Sequence, residues 1–174
     1  MKIRSTLHLD EKSHTLQLFP VLEETDDHLM LKLAAFVFFH AQEPFIVTSP
    51  QQHPALANQD FCPDLMTADY SNQVILWIQC GKTTLHKLAK VTNRYRDARI
   101  WMLMARPHEA KQMAETLEDE GNTRIEVWSF MQGEFDRWKS HVKEQNDIIG
   151  EATETSMNLV INGEMFMTDL TRIR

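Results

Sequence analysis

An aspartate, a glutamine and a lysine fall within one short stretch, Pro63 to Lys82, in an order that could assemble a hydrolytic site. Strand-like runs end at Tyr70 and begin at Gln73, and the polar pair Ser71-Asn72 between them is the signal of a β-hairpin. With Ser71-Asn72 as a two-residue loop, Tyr70 faces Gln73, and counting outwards sets Asp64 opposite Gln79. Cross-strand partners share a face with Cβ atoms about 5 Å apart. A carboxylate and a carboxamide would then emerge side by side where the hairpin opens, with Lys82 just beyond. That is the outline of a one-metal or two-metal hydrolytic site. It carries an amide where a hard cation such as Mg²⁺ would be better served by a second carboxylate.

The elements that must position these groups follow from local patterns. Lys2 to Leu9 and Thr15 to Phe19 read as an N-terminal hairpin around the polar Asp10–His14, and Pro20 ends its second strand. Thr25 is a reasonable N-cap for a helix from Thr25 to about Gln42, opened by acidic residues that complement the helix dipole. From Leu29 to Phe39 this helix is apolar nearly all round and is expected inside the protein. Phe45 to Thr48 is a short strand, and Ser49 to Phe61 a surface excursion. After the central hairpin comes a helix from Thr83 to Tyr95, with Leu85, Leu88, Ala89 and Thr92 facing inward. Ala98–Met104 is a buried strand, Pro107 to about Glu118 a helix closed by Gly121, Arg124–Phe130 a strand, and Met131–Lys143 a helix. The polar segment Glu144–Ser156 reads as a loop. Met157–Ile161, Asn162-Gly163 and Glu164–Thr168 carry the strongest hairpin signal in the chain. From Val74 to Phe130 the strand–helix alternation argues for a parallel portion. The expected fold is α/β: a mixed sheet flanked by helices, in one domain spanning residues 1–174, with hairpins added at both ends.

Composition narrows the function. The chain has 174 residues, enough for one sizeable core, and a formal net charge of −7. That sign disfavours strong non-specific binding to phosphate backbones, which depends on lysine and arginine, without excluding a local basic face. Lys87, Lys90 and Arg94 on the Thr83–Tyr95 helix are the candidates for such a nucleic-acid-binding face. Cys62 and Cys80 are too few for a disulfide framework, and two reduced thiols are the expected state. No signal peptide is visible. The longest apolar run is interrupted by Lys32 and falls short of the roughly 20 residues that span a bilayer. The expectation is a cytoplasmic protein with no membrane partner. The histidines show no metal spacing of the His-x-x-x-His kind. Only five glycines occur, and there is no phosphate loop, dinucleotide fingerprint or nucleophile elbow.

Several stretches together resemble the bacterial YaeQ-type proteins. They are Glu24-Thr25-Asp26-Asp27-His28-Leu29-Met30-Leu31-Lys32-Leu33-Ala34-Ala35-Phe36, Pro63-Asp64-Leu65, and Leu76-Trp77-Ile78-Gln79-Cys80-Gly81. Lys90 and Arg94 also fall where that family carries basic residues. The resemblance runs from about Leu22 to Met104. It implies a restriction-endonuclease-like core of the PD-(D/E)xK superfamily, in which acidic residues from the first helix and two adjacent strands hold Mg²⁺ or Mn²⁺ and a lysine assists. Carried over, the metal ligands are Glu24, Asp64 and Gln79. The family has glutamate at the last of these positions, and Gly81 stands where the superfamily lysine would be. Lys82 or Lys90 could supply the ammonium from elsewhere. Cys62 and Ile75 also stand where acidic residues are expected.

Each residue also has a structural explanation. Glu24 can simply complement a helix dipole, Asp64 can be a turn residue, Gln79 a polar strand end, and the basic helix face can be a solvated one. Two functions therefore remain open. One is a weak or specialised Mg-dependent phosphodiesterase or nuclease. The other is a non-catalytic nucleic-acid- or protein-binding module with a vestigial cleft.

Overall fold

The computed structural model describes residues 1–174. Its strands form one ten-stranded sheet, in the order β2-β1-β8-β9-β10-β7-β6-β5-β4-β3. In chain order the elements are β1 (Ile3–Leu9), β2 (Lys12–Leu18), α1 (Asp26–Phe39), β3 (Phe45–Ile46), β4 (Leu65–Ala68) and β5 (Val74–Cys80). They continue with α2 (Leu85–Arg94), β6 (Arg99–Met104), α3 (Pro107–Asp119), β7 (Ile125–Phe130), α4 (Glu134–His141), β8 (Gln145–Ala152), β9 (Ser156–Ile161) and β10 (Glu164–Arg172). The β5-β6-β7 portion is parallel, as strand–helix alternation requires, and the hairpins on either side are antiparallel.

The two terminal hairpins are not separate additions. Strand β8, in the segment expected to be a loop, lies between them, parallel to β1 and antiparallel to β9. Its sequence QNDIIGEA has too few apolar residues to announce a strand, because one of its faces is open to solvent. Ile148 is buried, and Asn146 is buried but satisfied by the carbonyls of Arg4 and Lys143 and the hydroxyl of Ser5. Gly150 looks like a loop residue, yet a Cβ there would collide with the Asn158 carbonyl oxygen.

Helix α1 has no amphipathic stripe because it is enclosed: every residue from Leu29 to Phe39 is buried, Lys32 included. It touches β4, β5 and β6 on one side and β8 and β9 on the other. Trp138 of α4 fixes it further, donating its indole N–H to the Met30 carbonyl at 2.9 Å. Helices α2 and α3 cover the opposite face of the β5–β7 region in a second apolar layer. On α2 the inward residues are Leu88 and Val91; Ala89 is exposed, so the expected inner face is rotated by part of a turn.

The central hairpin reaches the expected pairing by a different route. Its loop has three residues, Tyr70-Ser71-Asn72, closed by Asp69 N–H donating to Gln73 O at 2.9 Å. A bulge between Thr67 and Ala68 then skips Ile75, so that Thr67 meets Leu76 and Leu65 meets Ile78. The extra loop residue and the bulge cancel, and continuing the register by one residue sets Asp64 beside Gln79.

Candidate metal and phosphate site

The site forms where the start of α1 meets the open end of the β4–β5 hairpin. Thr25 caps α1, its hydroxyl accepting the His28 N–H at 3.2 Å. Glu24 lies just before the cap, where Oε2 accepts the Val21 N–H at 2.9 Å and the helix dipole favours a negative charge. Its side chain is 1% exposed. One turn on, His28 turns Nδ1 to Glu24 Oε1 at 3.0 Å and Nε2 to Asp64 Oδ1 at 2.8 Å. One turn further, Lys32 brings Nζ to 2.6 Å from Glu24 Oε1 and 3.6 Å from Asp64 Oδ1. From the hairpin, Asp64 Oδ2 accepts from Gln79 Nε2 at 2.9 Å and from the Cys80 backbone N–H at 2.7 Å. Gln79 is buried and its Oε1 has no partner.

The electrostatics keep the Asp64 carboxyl ionised. Burial pushes the Asp64 carboxyl up, but the His28 hydrogen bond and charge, Lys32 and the Cys80 N–H outweigh it, and the net shift is downward. Burial pulls the Lys32 ammonium down, while Asp64 and Glu24 more than compensate and hold it above its usual value. Both ring nitrogens of His28 face carboxylate oxygens. The assembly opens into a cleft of about 390 Å³ lined by Glu24, His28, Gln79, Cys80, Lys82 and Arg106 among others.

The profile of the YaeQ protein family matches residues 8–169. The chain belongs to that family. Two solved YaeQ structures share the fold over nearly their whole length. The crystal structure of the YaeQ protein from Xanthomonas axonopodis pv. citri is 18% identical, with 99% of this chain and 97% of that one covered and a TM-score of 0.70. The YaeQ protein from Pseudomonas syringae is 10% identical, with 99% and 95% covered and a TM-score of 0.73. No protein with a curated description matches the chain.

Of the residues expected to form the site, Glu24, Asp64 and Gln79 come together. The expected lysines do not. Lys82 stands at the mouth of the cleft, exposed, and pairs with Glu109 at 3.3 Å. Lys90 is exposed on α2 and is not among the residues lining the cleft. Lys32 occupies the place they were expected to fill. Gly81 has φ of +72°, a left-handed conformation that a lysine would adopt only with strain. His28 and Lys32 carry no motif of their own in the sequence, although Glu24, His28 and Lys32 are spaced four apart and so share one helix face.

The basic face of α2 is also smaller than its sequence suggests. Arg94 is drawn onto the preceding loop, donating to the Ala57 carbonyl at 3.3 Å. Lys87 is half-buried, and burial lowers its ammonium against the opposing pull of Asp64. Cys62 and Cys80 are free thiols, and burial pushes both upward, away from thiolate chemistry. No helix is long and apolar enough to cross a membrane.

Proposed function

We propose that this YaeQ protein is a divalent-cation-dependent phosphodiesterase with a degenerate PD-(D/E)xK site on a restriction-endonuclease-like core. The observation that carries this reading is the convergence of two buried carboxylates with the unpartnered Gln79 Oε1 beside an open cleft. Buried acceptors of that kind are costly unless a donor or a cation meets them. The oxygens of Glu24, Asp64 and Gln79 suit Mg²⁺ or Mn²⁺, and these three residues would hold the ion. When bound, the ion supplies charge to the phosphate and acidifies a water.

The chain's own residues do the rest. Glu24 and Asp64 are held by backbone N–H groups of different elements, so the donor set is rigid before any ligand arrives. Lys32 keeps a fixed ammonium beside them, positioned to stabilise negative charge on a phosphate oxygen. Two carboxylates and one ammonium leave a single negative charge; a divalent ion turns that into a single positive one, matched to a monoanionic phosphodiester. Lys82 and Arg106 line the cleft that a phosphate would enter.

A second reading, a non-catalytic nucleic-acid- or protein-binding module, is favoured by one observation. The Lys32 ammonium and the His28 ring already stand against the carboxylate oxygens without a metal. One experiment separates the two. Single- and double-stranded DNA and RNA are incubated with the protein in Mg²⁺, Mn²⁺ or EDTA, beside Asp64→Asn and Glu24→Gln variants. Cation-dependent cleavage that falls on the order of a hundredfold or more in both variants supports the phosphodiesterase. Binding without cleavage, equal in EDTA and in metal, supports the binding module.

A further inference from the structure

The resemblance to PD-(D/E)xK proteins accounts for the oxygen ligands and leaves His28 without a role. Yet His28 is the residue that joins them. Glu24, His28 and Asp64 each offer one donor atom, and these atoms all lie within 4.8 Å of one another. The ring nitrogens stand 3.0 and 2.8 Å from the two carboxylate oxygens. Ligands about 2.1 Å from an ion and at right angles to each other are about 3 Å apart, so either ring nitrogen and the one carboxylate oxygen it faces have the separation of two neighbouring ligands on one centre. The unpartnered Oε1 of the buried Gln79 lines the same cleft as Glu24 and His28, an independent sign of a missing electrophile. Lys32 does not line the cleft, whereas the His28 ring, 30% exposed, does. Glu24, His28 and Gln79 all line the cleft, so an entering ion has the imidazole within reach together with two oxygen donors.

We infer that His28 is a metal ligand and that the site consequently selects a borderline cation of the Mn²⁺ type over Mg²⁺. The inference rests on the reading of this cleft as a cation site. Its chemical basis is the donor set. Mg²⁺ is hard, binds oxygen almost exclusively and keeps its waters, whereas imidazole is an ordinary ligand for the later divalent ions. In this site one ring nitrogen faces the ion without its proton, and the other keeps its N–H on the second carboxylate. That hydrogen bond fixes the ring and raises its basicity, as carboxylate partners of ligating histidines do. Replacement of the expected glutamate by Gln79 points the same way. Losing one carboxylate weakens a purely electrostatic Mg²⁺ site more than one that also has a nitrogen donor.

The test is pulsed electron paramagnetic resonance of the Mn²⁺-loaded protein, with Mn²⁺ and Mg²⁺ affinities from calorimetry for wild type and His28→Gln. The expected result is nitrogen modulation from a directly bound imidazole in the wild type, absent in His28→Gln. Mn²⁺ affinity should fall on the order of tenfold or more in the variant, with Mg²⁺ affinity changing much less, so that the preference collapses. Binding of both ions with no nitrogen coupling in the wild type, and equal changes in the variant, would overturn the role of His28 and leave the cation site standing. Failure of both ions to bind the wild type would remove the cation site itself and this inference with it. The nitrogen signal is read on the unaltered protein, so the outcome is independent of how the variant folds.

Discussion

Helix α1 carries a histidine at each end, and the two rings live in opposite chemical settings. At the N-terminal end, both nitrogens of His28 meet carboxylates, and Lys32 meets the same pair. At the C-terminal end, His40 lies just beyond α1, and only its Nε2 is held, by the half-exposed Asp10 at 2.7 Å. Its Nδ1 and the Nε2 of neighbouring His14 are buried without partners, and the two rings stack edge to face with centroids 5.9 Å apart. The first end gathers negative charge and then neutralises it with side-chain cations. The second end packs imidazoles as near-apolar rings. Burial alone thus says little about a histidine's setting; the two rings differ in the number of carboxylate oxygens they face.

The contrast breaks most visibly at the lysines. Lys32→Met leaves two buried carboxylates short of a cation and should cost about 3–5 kcal/mol in denaturant unfolding at neutral pH, part of it recovered in excess Mn²⁺. Lys12→Met at the other end removes an exposed pair with Glu43 and an exposed hydrogen bond to the Ala41 carbonyl, and should cost under about 1 kcal/mol. Equal losses would mean that the N-terminal cluster is not a distinct electrostatic unit.

Gln79→Glu sharpens the N-terminal half of the comparison. The wild-type amide donates to Asp64 Oδ2, and a glutamate cannot do so while ionised. The metal-free variant should lose about 1–3 kcal/mol, with one carboxyl titrating higher. Excess Mn²⁺ should raise its melting temperature by more than that of the wild type. Equal shifts in thermal melts would place Gln79 outside any cation site and favour the interaction module.

The pH response should differ between the ends by a smaller amount. Asp64 is held below its usual value, so its contribution is present above about pH 3.9 and is lost as pH falls through the folded value. Lys32 is held above its usual value, so its contribution is present below about pH 10.4 and lost only as pH rises past that. Neither Asp64 nor Lys32 therefore changes charge across the neutral range. His14 is lowered by burial, then by His40 and Lys12 against the pull of Glu43. Its contribution is present above about pH 6.5 and is lost as pH falls below it. Urea midpoints should accordingly decline between pH 8 and 5 in the wild type and decline less in His14→Leu. The smallest effect belongs to Lys90→Ala, expected within about 0.5 kcal/mol in stability and without change in Mn²⁺ affinity.

Much of the framework was legible because its signals are local. Thr25 as cap, Pro107 and Gly121 at the ends of α3, and Asn162-Gly163 as a hairpin turn each act on residues a few positions away. The pairing of Asp64 with Gln79 was legible for the same reason, although the route combined a longer loop with a bulge at Thr67/Ala68 that no pattern announced. Strand β8 was not legible. It pairs Gln145 with Arg4 from the far end of the chain, and its buried Asn146 is satisfied partly by that partner strand and partly by the Lys143 carbonyl.

The same division runs through the site. The sequence alone determined the helix that carries His28 and Lys32 one turn apart just after Glu24, and the hairpin that carries Asp64 and Gln79. Short-range hydrogen bonding and side-chain periodicity suffice for both. Only the tertiary structure decided that the two meet, that Lys32 stands beside Glu24 and Asp64 while Lys82 pairs with Glu109, and that His28 stands between the carboxylates. The physical reason is that these contacts join α1 to a hairpin more than thirty residues away. The enclosure of α1 then removes water and makes charge compensation compulsory where an exposed helix would leave it optional.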